Sequence, residues 1–231
     1  MGMHMGLVAA KTSVANFREA FPRTWTKFEI VAMEDHLPDA NAMRAWWKSH
    51  ERFVSGADWT MDNPGKEVFA FWQDGPWAVM LDCSYVLASD DDRLKDLSNL
   101  FGAVLSFAVE TAGGCAFFSC FENGQMRRKI NNINADVTSE GEPMPEEAGI
   151  DISKYYMDET EALWKAFGMD SDMEGEPTQQ GYQAICVIDH TDYGHLHKGE
   201  YKDPKSLEIH DDPVAHQPQP VKPMKPWWKF W

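Results

Sequence analysis

Apolar and polar residues recur in short runs whose spacing changes several times between strand and helix periods. Residues 24–33 alternate, which predicts a strand. After Pro38-Asp39 the apolar positions follow at helical spacing, and Ser55-Gly56 ends the predicted helix. The heavy aromatic face of this helix carries Trp46, Trp47, His50 and Phe53. Core packing is the default for such a face, and the lining of a pocket is the alternative.

The next segments predict a hairpin and a second helix. Runs 67–73 and 77–87 are separated by Asp74-Gly75-Pro76, which predicts a hairpin whose second strand begins with proline and lies at a sheet edge. Ser89 followed by the acidic residues 90–92 is a capping-box pattern that predicts a helix start, and Gly102 predicts its end. The buried stripe of this helix is predicted to contain Leu94, Leu97, Leu100 and Phe101.

Three strands in succession are predicted over residues 103–110, 115–121 and 125–131. Asn123-Gly124 is the strongest hairpin signal in this stretch. A third helix is predicted from Asp158 to Gly168, and a last strand over 182–188. Sequential hairpins in place of repeated βαβ units predict an α+β fold, a mainly antiparallel sheet with three helices packed on it.

The composition changes near residue 198, which predicts a single domain over 1–197 and an extended, proline-rich tail over 198–231. The tail ends in an aromatic cluster formed by Trp227, Trp228, Phe230 and Trp231. Exposed apolar clusters mark interaction sites. Three interpretations stay open: the tail covers a groove of its own domain, inserts into a partner as a linear motif, or places its aromatic residues in a membrane interface.

The net charge of −16 bears on the class of partner. Nucleic-acid affinity comes largely from Lys and Arg, so an acidic chain argues against a nucleic-acid partner. Acidity often serves solubility alone, and the alternative is docking onto a basic protein. The N-terminal residues lack the pattern of a signal peptide and no apolar stretch is long enough to span a bilayer, so we expect a cytoplasmic protein without a membrane span.

A histidine-rich stretch is the best candidate for metal chemistry. His190, His195 and His197 lie near Asp189 and Asp192, and imidazole with carboxylate is an ordinary zinc ligand set. The alternative is a polar loop that leaves the last strand. The common nucleotide, hydrolase and protease motifs are absent from the sequence, and we predict neither a catalytic residue nor a cofactor.

Two further groups of reactive side chains are expected to be structural. Cys115 and Cys120 lie in an apolar run without an adjacent basic residue, which favours core packing over a nucleophile or redox pair. Arg127, Arg128 and Lys129 are expected to pair with the acidic segment that follows them, with an anionic ligand as the alternative. Strand alternation places Arg128 with Met126 and Ile130 on one face and Arg127 with Lys129 on the other.

The middle of the chain, about residues 77–168, resembles small uncharacterised bacterial α+β proteins, including immunity-type proteins of toxin systems. The resemblance is carried by the helix 91–102, by Phe121-Glu122-Asn123-Gly124 with Arg127 or Arg128, by residues 141–147 and by the helix that ends at Phe167-Gly168. It implies a non-enzymatic protein that docks a basic partner through its acidic surface. The aromatic tail would then be a second contact or a self-cover, and the alternative function is a metal-dependent protein or enzyme that uses the histidines.

Overall fold

The computed structural model describes residues 4–24, 28–52, 65–82, 88–171 and 181–189. These residues form nine strands and four α-helices. The strands are β1 (His4–Ala10), β2 (Phe28–Leu37), β3 (Lys66–Asp74), β4 (Trp77–Leu81), β5 (Ala103–Glu110), β6 (Cys115–Glu122), β7 (Gln125–Ile133), β8 (Asp136–Gly141) and β9 (Tyr182–Asp189). The helices are α1 (Val14–Thr24), α2 (Ala40–His50), α3 (Asp91–Phe101) and α4 (Met157–Ala166), with short 3-10 helices at Pro145–Glu147 and Ile152–Lys154.

All nine strands join one antiparallel sheet in the order β2-β9-β3-β4-β1-β5-β6-β7-β8. Side chains alternate along each strand, so each strand contributes to both faces. In β1, Leu7 and Ala9 enter one apolar cluster and Val8 and Ala10 the other. Both faces of the sheet therefore carry apolar side chains that other elements must bury.

Helices cover both faces and complete two separate cores. Met43 of α2 with Leu163 and Trp164 of α4 belongs to the first cluster. Phe17 and Phe21 of α1 belong to the second, together with the buried leucines of α3. The predicted α+β class with a mainly antiparallel sheet is confirmed, and the predicted number of three helices is wrong because the described residues contain four.

Two elements near the N-terminus, β1 and α1, were not predicted. β1 lies between β4 and β5 in the middle of the sheet, and its residues from Met5 to Ala10 are buried. A strand that is buried on both faces shows no alternation of polar and apolar residues. α1 contains Pro22 near its end, and proline is a signal against a continuing helix.

The predicted helices agree with α2, α3 and α4, with corrections at individual residues. Asp39 caps α2 by accepting a hydrogen bond from the Ala42 N–H at 2.8 Å, but α2 ends at His50 instead of continuing to residue 55. The N-cap of α3 is Asp90 and not the predicted Ser89, and Gly102 ends the helix with a φ of 79°, a left-handed conformation that glycine adopts without strain. The predicted burial of Leu100 is wrong, since this side chain is 58% exposed.

The hairpins are where the sequence signals place them. Asn123-Gly124 connects β6 to β7, and both residues have positive φ angles, 48° and 77°. The hairpin of β3 and β4 is also confirmed, but β4 is not at a sheet edge because it pairs with β3 and β1. Pro76 lies in the turn, where it does not interrupt the ladder.

The sheet and its helices belong to one compact unit that spans Gly2–Thr191. The predicted tail, residues 198–231, lies outside the described residues. Among the described residues, no helix is long and apolar enough to cross a membrane.

Candidate partner-binding surface

The candidate site residues predicted from the sequence lie outside the part of the chain that the structure describes. This holds for the histidines His190, His195 and His197 and for the aromatic residues Trp227, Trp228, Phe230 and Trp231. β9 ends at Asp189, directly before the histidine stretch. Within the described ranges, no group of three or more His, Cys, Asp or Glu side chains is arranged to hold a metal. The metal site and the aromatic contact therefore remain predictions.

The basic triplet on β7 is used in internal ion pairs. Arg128 and Glu147 are both buried, and the guanidinium donates two hydrogen bonds to the carboxylate, from Nε at 2.8 Å and from a terminal nitrogen at 2.9 Å. Lys129 Nζ lies 2.6 Å from Asp91, and Arg127 lies 3.3 Å from Glu122. The expected pairing with the acidic segment that follows is confirmed for Arg128 and wrong for Arg127 and Lys129, whose partners Glu122 and Asp91 precede the triplet.

The adjacent basic residues of β7 have different environments because side chains alternate along the strand, and a β-bulge lies at the first of them. Cys120 of β6 pairs with Arg128, whereas the next residue, Phe121, pairs with Met126, so Arg127 is the extra residue of β7. The Arg127 side chain is 59% exposed, while the Arg128 side chain is 5% exposed. The bulge also places Met126 opposite Phe121, which belongs to the cluster beneath α1 and α3.

Burial opposes nucleophilic chemistry at two of the described cysteines, Cys120 and Cys186. Burial, with Glu122 and Glu146 nearby, raises the pKa of the Cys120 thiol to about 12. Because the thiolate is the nucleophile, such a thiol is unreactive near neutral pH. Burial also raises the pKa of Cys186, whose Sγ lies 3.6 Å from the His50 carbonyl oxygen. The expected core packing is confirmed for Cys120, whereas Cys115 is half-buried at the start of β6.

The aromatic face of α2 packs against the core. Trp46 and Trp47 are half-buried and contact the cluster that α2 and α4 cover. The His50 ring stacks on Trp46 with a centroid distance of 4.0 Å, and its Nδ1 lies 2.8 Å from the Trp46 carbonyl oxygen. Core packing is thus confirmed for the tryptophans, and Phe53 lies outside the described residues.

The end of the sheet formed by β8 is the acidic surface that we consider as a binding site. β8 is the last strand of the sheet, and each of its residues except Val137 is exposed. Asp136 and Glu140 lie on the strand, and Glu142 follows it. An edge strand presents unpaired backbone N–H and C=O groups that can pair with another chain. Among the described strands none pairs with the outer side of β8, which therefore combines an open template with negative charge.

The acidic residues of β8 keep their charge unpaired. Among the residues that the structure describes, Asp136, Glu140 and Glu142 take part in no ion pair. The nearest cations along the chain are already engaged, Lys129 with Asp91 and Lys154 with Asp151. The electrostatic field at this edge is consequently attractive for a cationic partner.

The buried ion pair also holds the end of β8. Besides Glu147, the Arg128 guanidinium donates to the Gly141 carbonyl oxygen at 2.9 Å. Glu147 in turn accepts the Met144 N–H at 2.9 Å. The edge strand and the 3-10 helix Pro145–Glu147 are therefore fixed to the same buried side chains.

The opposite edge of the sheet, β2, has a different character. Ile30 and Val31 are each 39% exposed and Met33 is 51% exposed. Its pairing with β9 contains two register irregularities, and its Asp35 is bound to Arg18 at 2.5 Å. Bulges bend a strand and protect an edge from pairing, so β2 is a poorer template than β8.

β8 was not predicted from the sequence, although the sequence contains one signal for it. Asn134 and Ala135, which connect β7 to β8, have positive φ angles of 53° and 66°, and asparagine is common in such turns. The acidic residues after the turn obscure the alternation, and Val137 is the only apolar residue of β8. An edge strand also cannot be recognised locally, because edge position depends on the order of all nine strands.

Comparison of the chain with models of protein families, with curated proteins and with solved structures gave no match.

Proposed function

We propose that this protein is a binding protein that engages a basic protein partner through the acidic surface at β8. The observation that carries the proposal is the set of exposed carboxylates at this sheet edge, Asp136, Glu140 and Glu142, which have no cationic partner among the described residues. Complementary charge accelerates encounter and selects a partner.

Two properties of the surface support a protein partner. Its net negative charge opposes contact with the phosphates of nucleic acid. The surface is also anchored from behind by the buried pair of Arg128 and Glu147, so little conformational freedom is lost on binding. A rigid, charged edge suits recognition of a folded or extended basic protein.

The partner chemistry agrees with the resemblance to immunity-type proteins. A protein of this kind that neutralises a basic toxin would need a fixed acidic surface. The aromatic residues Trp227, Trp228, Phe230 and Trp231 are proposed as a second contact, because buried Trp contributes strongly to interface energy.

Charge reversal at the edge tests the proposal. The variant Glu140→Lys/Glu142→Lys changes the surface, and two exposed acidic residues of α4, changed as Asp158→Lys/Glu161→Lys, provide a control with the same change in net charge. Partners captured from the native cell lysate by the full chain are purified and their binding is measured by calorimetry. We expect the β8 variant to weaken binding by about tenfold or more and the α4 variant to leave it nearly unchanged.

Equal binding by both variants and the unchanged chain would refute the location at β8. Loss of binding in both variants alike would show that net charge, and not this surface, governs the interaction. A chain that ends at His216 examines the aromatic contact separately: weaker binding with an unchanged melting temperature supports a partner contact, and unchanged binding excludes it.

A further inference from the structure

The hairpin of β7 and β8 determines which backbone groups of the edge face outward. Ile133 and Asp136 pair across the two-residue turn, with Asn131 opposite Thr138 and Lys129 opposite Glu140. In a two-residue hairpin the pair beside the turn is hydrogen-bonded, and hydrogen-bonded pairs alternate with pairs that are not. The backbone groups of Asp136, Thr138 and Glu140 therefore point to β7, and those of Val137 and Ser139 point away from the sheet.

Side-chain direction adds a second regularity. Asp136, Thr138 and Glu140 alternate with Val137 and Ser139, so their side chains share one face of the strand. Lys129 lies on the same face, because it is opposite Glu140 in the strand register, and its side chain forms an ion pair with Asp91 of α3. The two carboxylates on this face are four residues apart.

We infer that the β8 edge binds an extended segment of the partner as a tenth, antiparallel strand, with cationic side chains at positions i and i+4. This inference rests on the proposed function and adds the mode of binding. In antiparallel register, residues i and i+4 lie opposite Glu140 and Asp136, and residues i+1 and i+3 exchange hydrogen bonds with Ser139 and Val137. Antiparallel addition continues the pairing of all the other strands.

The same charges disfavour a second copy of this chain on the edge. If two β8 strands paired antiparallel about Thr138, Asp136 of each copy would lie opposite Glu140 of the other. Like charges directly opposite each other destabilise a strand pair, and charged side chains are a common protection against edge association. The charge pattern therefore admits a cationic strand and rejects a copy of itself.

Designed peptides test the inference on the full chain. A peptide of about nine residues, the length of an ordinary strand, carries Lys at i and i+4 among Thr and Val. A matched peptide of the same composition carries Lys at i and i+3, which places the two cations on opposite faces. Because it retains one of the two cross-strand charge pairs, we expect it to bind roughly 2- to 5-fold more weakly.

Backbone methylation separates strand addition from simple charge attraction. A methyl group on the nitrogen of residue i+1 or i+3 removes a donor that faces β8, so binding should be lost. A methyl group on residue i+2 points away from the edge and should be tolerated. In the complex, amide hydrogen exchange should slow at Val137 and Ser139 and stay unchanged at Thr138, whose N–H already bonds to β7.

The outcomes distinguish this inference from the proposed function. Strand addition is refuted if charge-dependent binding is equal for both lysine spacings, is insensitive to methylation and gives no new protection at Val137 and Ser139. In that case the proposed binding of a basic partner is still supported. Failure of both unmethylated peptides to bind, while a purified partner still binds in a Glu140-dependent manner, also refutes the extended mode. Absence of any Glu140-dependent binding overturns the proposed function itself. Peptide-independent dimers of the unchanged chain in sedimentation that disappear when Ser139→Pro removes an outward-facing N–H would place a second copy on the edge and refute the inference.

Discussion

Replacing Glu147 by Gln removes one charge from a buried ion pair and leaves the other charge in place. The Glu147 carboxylate accepts two hydrogen bonds from Arg128 and one from the Met144 N–H, all between 2.8 and 2.9 Å. The two side chains are 5% and 6% exposed, so water cannot replace the lost partner. The glutamine amide also turns an N–H₂ group toward the guanidinium or toward Met144.

The size of the effect follows from this uncompensated charge. Breaking a buried pair by removing one partner typically costs about 3–5 kcal/mol, and we expect Glu147→Gln to lower the free energy of unfolding within that range. The double variant Arg128→Met/Glu147→Leu removes both charges and should cost less than the single variant. It still loses the hydrogen bond to the Gly141 carbonyl oxygen, which is worth about 1–3 kcal/mol if that oxygen is left without a partner.

Urea denaturation followed by tryptophan fluorescence measures these differences, since the sequence contains ten Trp. An exposed ion pair serves as the control: Lys154 and Asp151 are 75% and 51% exposed, and Lys154→Met should give no measurable change. A loss below about 1 kcal/mol for Glu147→Gln, with the double variant equal or worse, would refute the reasoning that an isolated Arg128 charge is costly in this site.

Two other predictions concern titratable groups. Burial raises the pKa of Glu51 above its ordinary value, and a hydrogen bond with the Trp47 side chain acts in the opposite direction. The protonated Glu51 carboxyl therefore contributes to the stability of the folded chain below its ordinary pKa, and this contribution is lost as the pH rises through the raised pKa of the folded state. Glu51→Gln should therefore be more stable than the unchanged chain at pH 7 and equal to it in acid below the ordinary pKa; denaturation curves at both pH values measure this, and a less stable variant at pH 7 would contradict it. Because burial raises the pKa of Cys120 to about 12, alkylation of the native chain near neutral pH should modify Cys115 much faster than Cys120, and peptide mass spectrometry measures both rates. Equal rates in the native state, instead of only in denaturant, would show that Cys120 is accessible.

Local signals in the sequence were sufficient for the middle of the chain. The Asn123-Gly124 turn, the acidic residues at the start of α3 and the glycine at 102 each act on neighbouring residues, and the structure contains the elements they predict, with the cap one residue after the predicted Ser89. β1 was missed because its environment is created by β4 and β5, which are distant in sequence. Burial on both faces is a property of the assembled sheet and leaves no alternation to detect.

The same distinction applies to the site. Alternation along β7 placed Arg128 on the face of Ile130 and Arg127 with Lys129 on the other, and Arg128 and Ile130 are both buried. The bulge was not predicted: it pairs Met126 with Phe121 and makes Arg127 the extra residue. A bulge depends on how two strands align, so composition and alternation within one strand could not reveal it.

The two arginines at the bulge also bear on the proposed binding surface. Arg128 lies on the buried face of β7 and brings a guanidinium to the Gly141 carbonyl oxygen, where β8 ends, and to Glu147, which fixes the following 3-10 helix. Arg127, the extra residue of the bulge, lies 3.3 Å from Glu122, so this cation pairs with a carboxylate of β6 and not with those of β8. Among the described residues, the end of the acidic edge is therefore anchored while its carboxylates have no ion-pair partner, the two properties that binding of a cationic strand requires. If Glu147→Gln loosens this anchor, binding of the i, i+4 peptide should weaken even though no acidic residue of β8 has changed.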